Sequence, residues 1–189
     1  FIPEYDKIYC VSEPVRKQVI ARFPELADRT EVLMNFIDIK QVQRRSEEPL
    51  SDPQYTGELK FLTVGRASEE KGYDIAVQIT AELKKWGLRF KWFIIGDGRD
   101  LNKLRTMAKE YQVEQEIIFL GMRENPAPYV KSCDLYLQPS RHEGYPITIV
   151  EARSLQKVII ASDIPSMREQ IRDGENGYLC PLDVMQFAD

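Results

Sequence analysis

The chain has 189 residues, a length that suits one domain with a sizeable core or one domain with a fragment of another. Its 26 Lys and Arg against 30 Asp and Glu give a formal charge of −4, and without a basic run this balance speaks against a nucleic-acid partner. No stretch reaches the apolar length of a membrane span and no signal peptide opens the chain, which points to the cytoplasm.

Cys10, Cys133 and Cys180 lie far apart, with no C-x-x-C or Cys/His spacing suited to zinc or to a disulfide framework, and read as buried thiols. The chain begins without Met and stops without a closing signal, so it reads as a piece of a longer protein.

In chain order, residues 5–11 form a short strand candidate. Ser12 then caps a helix with Pro14 in its first turn, which runs towards Arg22 and ends before Pro24. Residues 31–37 read as the next strand, with Asn35 and Asp38 at its exit. From 41 to 58 the sequence is polar and carries prolines, the pattern of an exposed, mobile connection.

From residue 59 the pattern alternates regularly. Strands are expected at 59–65, 89–95, 116–120 and 132–137, with a further strand at 157–161. Helices are expected from Tyr73 or Asp74 to about Trp86 and from 100 to 110. Near-continuous apolar strands between amphipathic helices predict an α/β fold, with a parallel sheet covered on both faces. Ligands of such sheets bind beyond the carboxyl ends of the strands, so the loops that begin at Gly65, Gly96, Gly121 and Pro139 are expected to share one edge.

The segment P-S-R-H-E-G-Y-P-I-T-I-V-E-A-R-S-L, residues 139–155, has the order strand, loop, helix. Pro146 sits where a first helical residue would sit, and Ile147, Ile149, Val150 and Leu155 supply an apolar stripe. The loop brings Glu143, Gly144 and Tyr145 to a helix start whose free N–H groups and dipole favour an anion. Glu143 and Glu151 would lie about 12 Å apart on one helix axis, but Glu143 precedes Pro146, and the loop can fold it back so that the two carboxylates flank one phosphate group. Carboxylates do not bind phosphate; they accept hydrogen bonds from sugar hydroxyls. The ligand this suggests is sugar–phosphate–sugar, the layout of a nucleotide-activated hexose. A plainer reading stays open, in which Glu143 caps the helix and Glu151 is a solvated helix residue.

Gly65-Arg66 and Lys71-Gly72 place two cations on a loop at the same edge, where they could neutralise a diphosphate, although an ordinary charged loop has the same composition. Gly96-Asp97-Gly98 fails the G-x-G-x-x-G fingerprint because Leu occupies 101, and reads as a tight turn. His142 is the only histidine, so no catalytic triad or multi-His metal site has support, and it reads as a solvated loop residue. No D-x-D occurs that could hold a diphosphate through a metal, and Trp86 and Trp92 read as packing or surface residues.

With these residues in place the chain resembles the C-terminal donor-binding domain of the group 1 (family 4) retaining GT-B glycosyltransferases, a doubly wound, Rossmann-like fold. The matching pieces are V-S-E near 11, N-F-I-D at 35, V-G-R and E-K-G-Y-D from 64, I-I-G-D-G at 94, I-F-L-G at 118, P-S-R-H-E-G-Y-P and E-A from 139, and D-G-E-N-G-Y-L at 173. Departures fall at Gln156 and Val158 after the E-A helix and at Pro165-Ser166 before Glu169.

The resemblance implies that Arg66 and Lys71 bind the donor diphosphate, that Glu143 contacts the transferred sugar, and that Glu151 holds the ribose hydroxyls. Backbone at Gly144, Tyr145 and Ile147 would meet phosphate at the helix start, Gly65 and Pro146 would also contact the donor, and the segment at Met122 and Arg123 would face its base. It implies hexose transfer with retention, no cofactor beyond the nucleotide sugar as substrate, and no metal. It also implies a domain at 34–189 that is truncated at its C-terminus. Residues 1–33 would then end an N-terminal domain that carries the site for a saccharide or other acceptor. The isolated chain would bind donor without useful transfer, and the parent could associate peripherally with a membrane. A nucleotide-sugar epimerase or phosphorylase of the same shape, and a non-catalytic nucleotide-binding partner, stay open as alternatives.

Overall fold

The computed structural model describes residues 5–189. Two parallel sheets are present among them. The smaller pairs β1 (Ile8–Cys10) with β2 (Thr30–Val32), and α1 (Glu13–Arg22) connects them. Ser12 caps α1 by accepting from the Val15 N–H at 3.4 Å, with proline in the first turn, as the sequence pattern requires. The expected strand at 31–37 is shorter than predicted. Its only partner is the three-residue β1, so pairing stops where that strand turns into α1, and Leu33, Met34 and Phe36 are left exposed. Residues 1–4 of the expected 1–33 segment lie outside the described residues.

The larger sheet has β3 (Lys60–Val64), β4 (Lys91–Ile95), β5 (Ile117–Gly121), β6 (Leu135–Gln138), β7 (Val158–Ser162) and β8 (Tyr178–Cys180), all parallel, in the order β5-β4-β3-β6-β7-β8. Strand alternation sorts its side chains into two cores. Phe61, Trp92, Ile94 and Leu137 face one way, under α3 (Tyr73–Lys85), α4 (Leu101–Glu110) and α8 (Val184–Ala188). Leu62, Phe93, Ile95, Tyr136 and Ile159 face the other way, under α5 (Ala127–Ser132) and α6 (Ile147–Ser154). With helices on both faces, neither side of the strands can be polar, which is why they read as continuous apolar runs. Trp92 is fully buried, its indole N–H satisfied by Thr63 Oγ1 at 2.9 Å, while Trp86 is half exposed.

The polar stretch after residue 38 is not a mobile connection. Asp38 caps α2 (Ile39–Ser46) by accepting from the Gln41 N–H at 3.0 Å. The helix is fixed by polar contacts: Gln43 Nε2 reaches Ser154 O, Arg45 reaches Glu124 O, and Asn125 Nδ2 reaches Arg45 O. No apolar side chain of α2 is fully buried, and its apolar stripe is only Ile39 and Val42, too short to stand out in a polar stretch. Farther on, Tyr55 lies between Phe93 and Tyr129, with ring centroids 4.5 and 5.1 Å away, and Asp52 pairs with Arg123 at 2.7 Å. Two anchors therefore hold a segment whose composition is otherwise that of a loop.

Helix α5 also replaces the start of the strand expected at 132–137: Ser132 ends the helix, and two prolines at its first turn had the look of a loop. The short α7 (Pro165–Arg168), with α8 and β8, completes the chain, and α8 packs on α3.

Candidate functional site

The strand order reverses between β3 and β6. From β3 the chain winds outward to β4 and β5, then returns to the other side of β3 and winds outward again through β7 and β8. This is the switch point at which open parallel sheets leave a crevice beyond their carboxyl ends. The loop after β3 carries Arg66 and Lys71, and the loop after β6 carries Glu143, so the topology alone puts the predicted cations beside the predicted carboxylate.

Glycine makes the close approach of these loops feasible. Gly72 has φ +66°, and a Cβ there would lie 1.9 Å from Pro139 O. Gly96 has φ +139°, and its Cβ would lie 1.9 Å from Gly65 O. The tight-turn reading of Gly96-Asp97-Gly98 thus has a physical cause: the first loop crosses directly over it. Arg141 then staples the two loops, since its guanidinium makes a forked bond to Asp74 at 2.7 and 2.6 Å and its N–H donates to Glu70 O at 2.8 Å. Burial works against the Asp74 carboxylate, but the Arg141 bonds outweigh it and hold the group below the usual carboxylate range.

Across the junction Lys71 Nζ lies 2.6 Å from Glu143 Oε1, with side chains only 19% and 7% exposed, so solvent screens this pair weakly. The same Oε1 accepts from Gln138 Nε2 at 2.9 Å and from Ser140 Oγ at 2.8 Å. Glu143 does not cap α6, and among the described residues no side chain does. Arg66 is exposed and forms no ion pair among the described residues. Arg66, Lys71, Glu143 and Gly144 line one cleft of about 500 Å³, together with Ala67, Gly98, Arg99 and the exposed His142. Gly65, just before Arg66, lies against the buried Tyr73 hydroxyl, 2.9 Å from where a Cβ would be, and that hydroxyl has no hydrogen-bond partner among the described residues.

Tyr145, Pro146 and Ile147 lead from this cleft into α6. The N–H groups of Gly144, Tyr145 and Ile147 donate to no acceptor among the described residues, which leaves a set of backbone donors at the helix start. Pro146 is buried, and its carbonyl accepts from Gln170 Nε2. Gly144 also packs on the first segment, since a Cβ there would meet Val11 Cγ2 at 3.1 Å.

Glu151, Met122 and Arg123 do not line this cleft. Glu151 is half-buried, its carboxylate receives no hydrogen bond among the described residues, and burial raises its pKa against the opposing charge of Arg45. It is therefore not a freely solvated helix residue. Arg45, through its bond to Glu124 O, links this carboxylate to the loop after β5. There Met122 is exposed, whereas the Arg123 side chain turns away to Asp52, Tyr129 Oη and Leu120 O, leaving backbone rather than guanidinium at the loop surface.

Sequence reasoning missed Gln138 and Ser140. The available signal was a polar residue at the end of an otherwise apolar strand, on the same side as Tyr136 two positions earlier. A larger cleft, about 660 Å³, opens around the amino ends of β7 and β8 and contains none of the predicted site residues. Among the described residues no group of three or more His, Cys, Asp or Glu gathers as a metal ligand set, and no helix is long and apolar enough to cross a membrane.

Residues 45–189 match the family model described as glycosyl transferases group 1. An uncharacterised glycosyltransferase of Methanocaldococcus jannaschii is 29% identical over 94% of this chain and 43% of its own length. The lipopolysaccharide 1,6-galactosyltransferase of Salmonella typhimurium is 30% identical over 89% of this chain and 46% of its own. Among solved structures, Anabaena HepE in complex with UDP-glucose superposes with a TM-score of 0.84 at 21% identity, covering 97% of this chain and 52% of that one. The chain spans about half the length of the relatives it matches.

Proposed function

This chain belongs to the group 1 glycosyl transferases, and we propose that it is the half of such an enzyme that grips a nucleotide-diphosphate sugar while a hexose passes to an acceptor with retained configuration. The observation that carries this reading is the meeting of Arg66, Lys71 and Glu143 around one cleft at the switch point of the sheet.

As the bond from the anomeric carbon to the diphosphate breaks, positive charge grows on the sugar and negative charge on the leaving group. Arg66 and Lys71 stabilise the latter, and this stabilisation is strongest in the transition state, where it accelerates the reaction. The free N–H groups of Gly144, Tyr145 and Ile147 add donors for phosphate oxygens at the start of α6, and Gly65 and Pro146 shape the approach. Glu143 accepts from a hydroxyl of the hexose and orients it, leaving attack to the acceptor on the face from which the nucleotide departs. Glu151 takes the ribose hydroxyls, and backbone at Met122 and Arg123 faces the base.

In this reading the donor binds without a metal ion, residues 34–189 form the donor domain, and residues 1–33 belong with the acceptor-binding half. The reaction runs in the cytoplasm, and the isolated chain binds donor without transferring sugar. HepE shares the fold and was solved with UDP-glucose, so uridine nucleotides belong among the probes. Calorimetric titration with uridine, guanosine and adenosine diphosphates, with magnesium and with EDTA, should show one nucleotide binding equally well in both. Binding of none of them would overturn the reading.

A further inference from the structure

The hydrogen bonds behind Glu143 run in one direction. Tyr136, Gln138 and Ser140 are each fully buried, on the last turns of β6 and the loop beyond it. The Val64 N–H donates to Tyr136 Oη at 3.4 Å, and that hydroxyl donates to Gln138 Oε1 at 3.2 Å. This fixes the orientation of the amide, so its Nε2 faces the loop and donates both to Ser140 Oγ at 2.9 Å and to Glu143 Oε1 at 2.9 Å. Ser140, having accepted from the amide, donates its own proton to Glu143 Oε1 at 2.8 Å. Every group has one role compatible with its neighbours, and the network ends with Gln138 and Ser140 both donating to the same carboxylate oxygen.

The other oxygen, Oε2, receives no hydrogen bond among the described residues. The carboxylate is thus held by one oxygen and open at the other. Lys71 also holds Oε1, but an entering diphosphate draws on that same ammonium and weakens its share. Gln138 and Ser140 are neutral, have no other charged partner, and keep their grip when the anion arrives.

We propose that Gln138 and Ser140 are positioning residues for Glu143. They lock Oε1 so that Oε2 offers one fixed acceptor to a hydroxyl of the donor's sugar. The proposal rests on the cleft being the donor site, and it makes recognition of the sugar separable from recognition of the diphosphate: loosening the carboxylate removes the first and spares the second.

The test titrates this chain and its Gln138→Met, Ser140→Ala and Glu143→Ala variants with uridine, adenosine and guanosine diphosphates and with their glucose conjugates, alongside thermal melts. For the nucleotide that binds, the ratio of Kd for the conjugate to Kd for the bare diphosphate should rise about tenfold in Gln138→Met and by a smaller factor in Ser140→Ala, with diphosphate affinity within about threefold of the wild type. If Gln138→Met does not fold, Ser140→Ala alone decides. A shifted ratio in Glu143→Ala with an unchanged ratio in the other two overturns the positioning role. So does equal weakening of both ligands, which marks a merely structural one. A wild-type chain that binds no nucleotide, or an unchanged ratio in Glu143→Ala, overturns the donor-site reading and the proposal with it.

Discussion

Lys71 Nζ and Glu143 Oε1 lie 2.6 Å apart although 72 positions separate them in sequence, and their contact spans the junction where the sheet reverses its winding. Removing one partner of a shielded ion pair usually strands a charge, but here Glu143 keeps two neutral donors. Lys71→Ala should therefore fold, with a melting temperature within a few degrees of the wild type, as expected for a loss of about 1 kcal/mol. Its affinity for the cognate nucleoside diphosphate should fall by about 10–100-fold, the scale of one charge-assisted contact. Calorimetry beside a thermal melt checks both. A large stability loss with affinity retained would mark the pair as a staple between loops and not a ligand contact.

Glu151 should make donor binding depend on pH. Burial raises its pKa, Arg45 pulls the other way, and Tyr136 lies close enough for the two groups to sense each other. The ionised form is the better acceptor for hydroxyls, so affinity should fall as pH drops through the raised pKa. The sign for stability is opposite: because folding favours the protonated form, stability falls as pH rises from the unfolded value through the folded one. Glu151→Gln should flatten the affinity profile, bind more weakly at neutral pH and be no less stable there. A wild-type profile with no such fall would return Glu151 to a structural role.

The sequence revealed much of the central sheet because strands buried on both faces leave an unmistakable apolar signature, as in F-L-T-V and W-F-I-I. It revealed the glycine-ended loops for the same reason, since each follows such a strand. Helix α2 stayed hidden because polar contacts fix it, and α5 because Pro126 and Pro128 resemble loop residues. Of the candidate site, the spacings indicated a geometry: Arg66, Lys71 and Glu143 meet in one cleft, while Glu151 lies outside it, half-buried. What could not be read was the support behind them. Gln138 and Ser140 belong to no charge pattern, and the inward turn of Arg123 depends on Asp52, 71 positions away.

Gly72→Ala should dismantle the junction. At φ +66° a side chain is already strained, and the new Cβ would lie 1.9 Å from Pro139 O, a backbone atom that cannot rotate away. The loops must part, at a cost of about 2 kcal/mol or more, on the scale of other strained backbone substitutions. Because parting them separates Lys71 from Glu143, nucleotide affinity should drop with stability. Gly174→Ala serves as the control: its φ is +74°, but nothing lies within 4 Å of the added Cβ. A lower melting temperature there with unchanged affinity would separate local strain from disruption of the site.

Asp74 and Arg141 provide the acid-sensitive part of the same junction. The folded pKa of Asp74 is depressed, so its contribution to stability is complete above the ordinary carboxylate pKa and is lost as pH falls through the lower, folded value. The two side chains are 32% and 29% exposed, and solvent screening limits the fork to about 1 kcal/mol. Asp74→Asn should lower the unfolding free energy from urea titration at pH 7 by that amount and lose less stability than the wild type as pH falls from the ordinary carboxylate pKa through the lower, folded one. The Arg141 guanidinium also donates to Glu69 O at 2.9 Å, so Arg141→Ala should cost more than Asp74→Asn at neutral pH, while the main-chain N–H bond to Glu70 O is kept in both variants. Equal losses from the two variants would mean that the fork is the whole side-chain contribution and that the guanidinium bond to Glu69 O adds nothing to the junction.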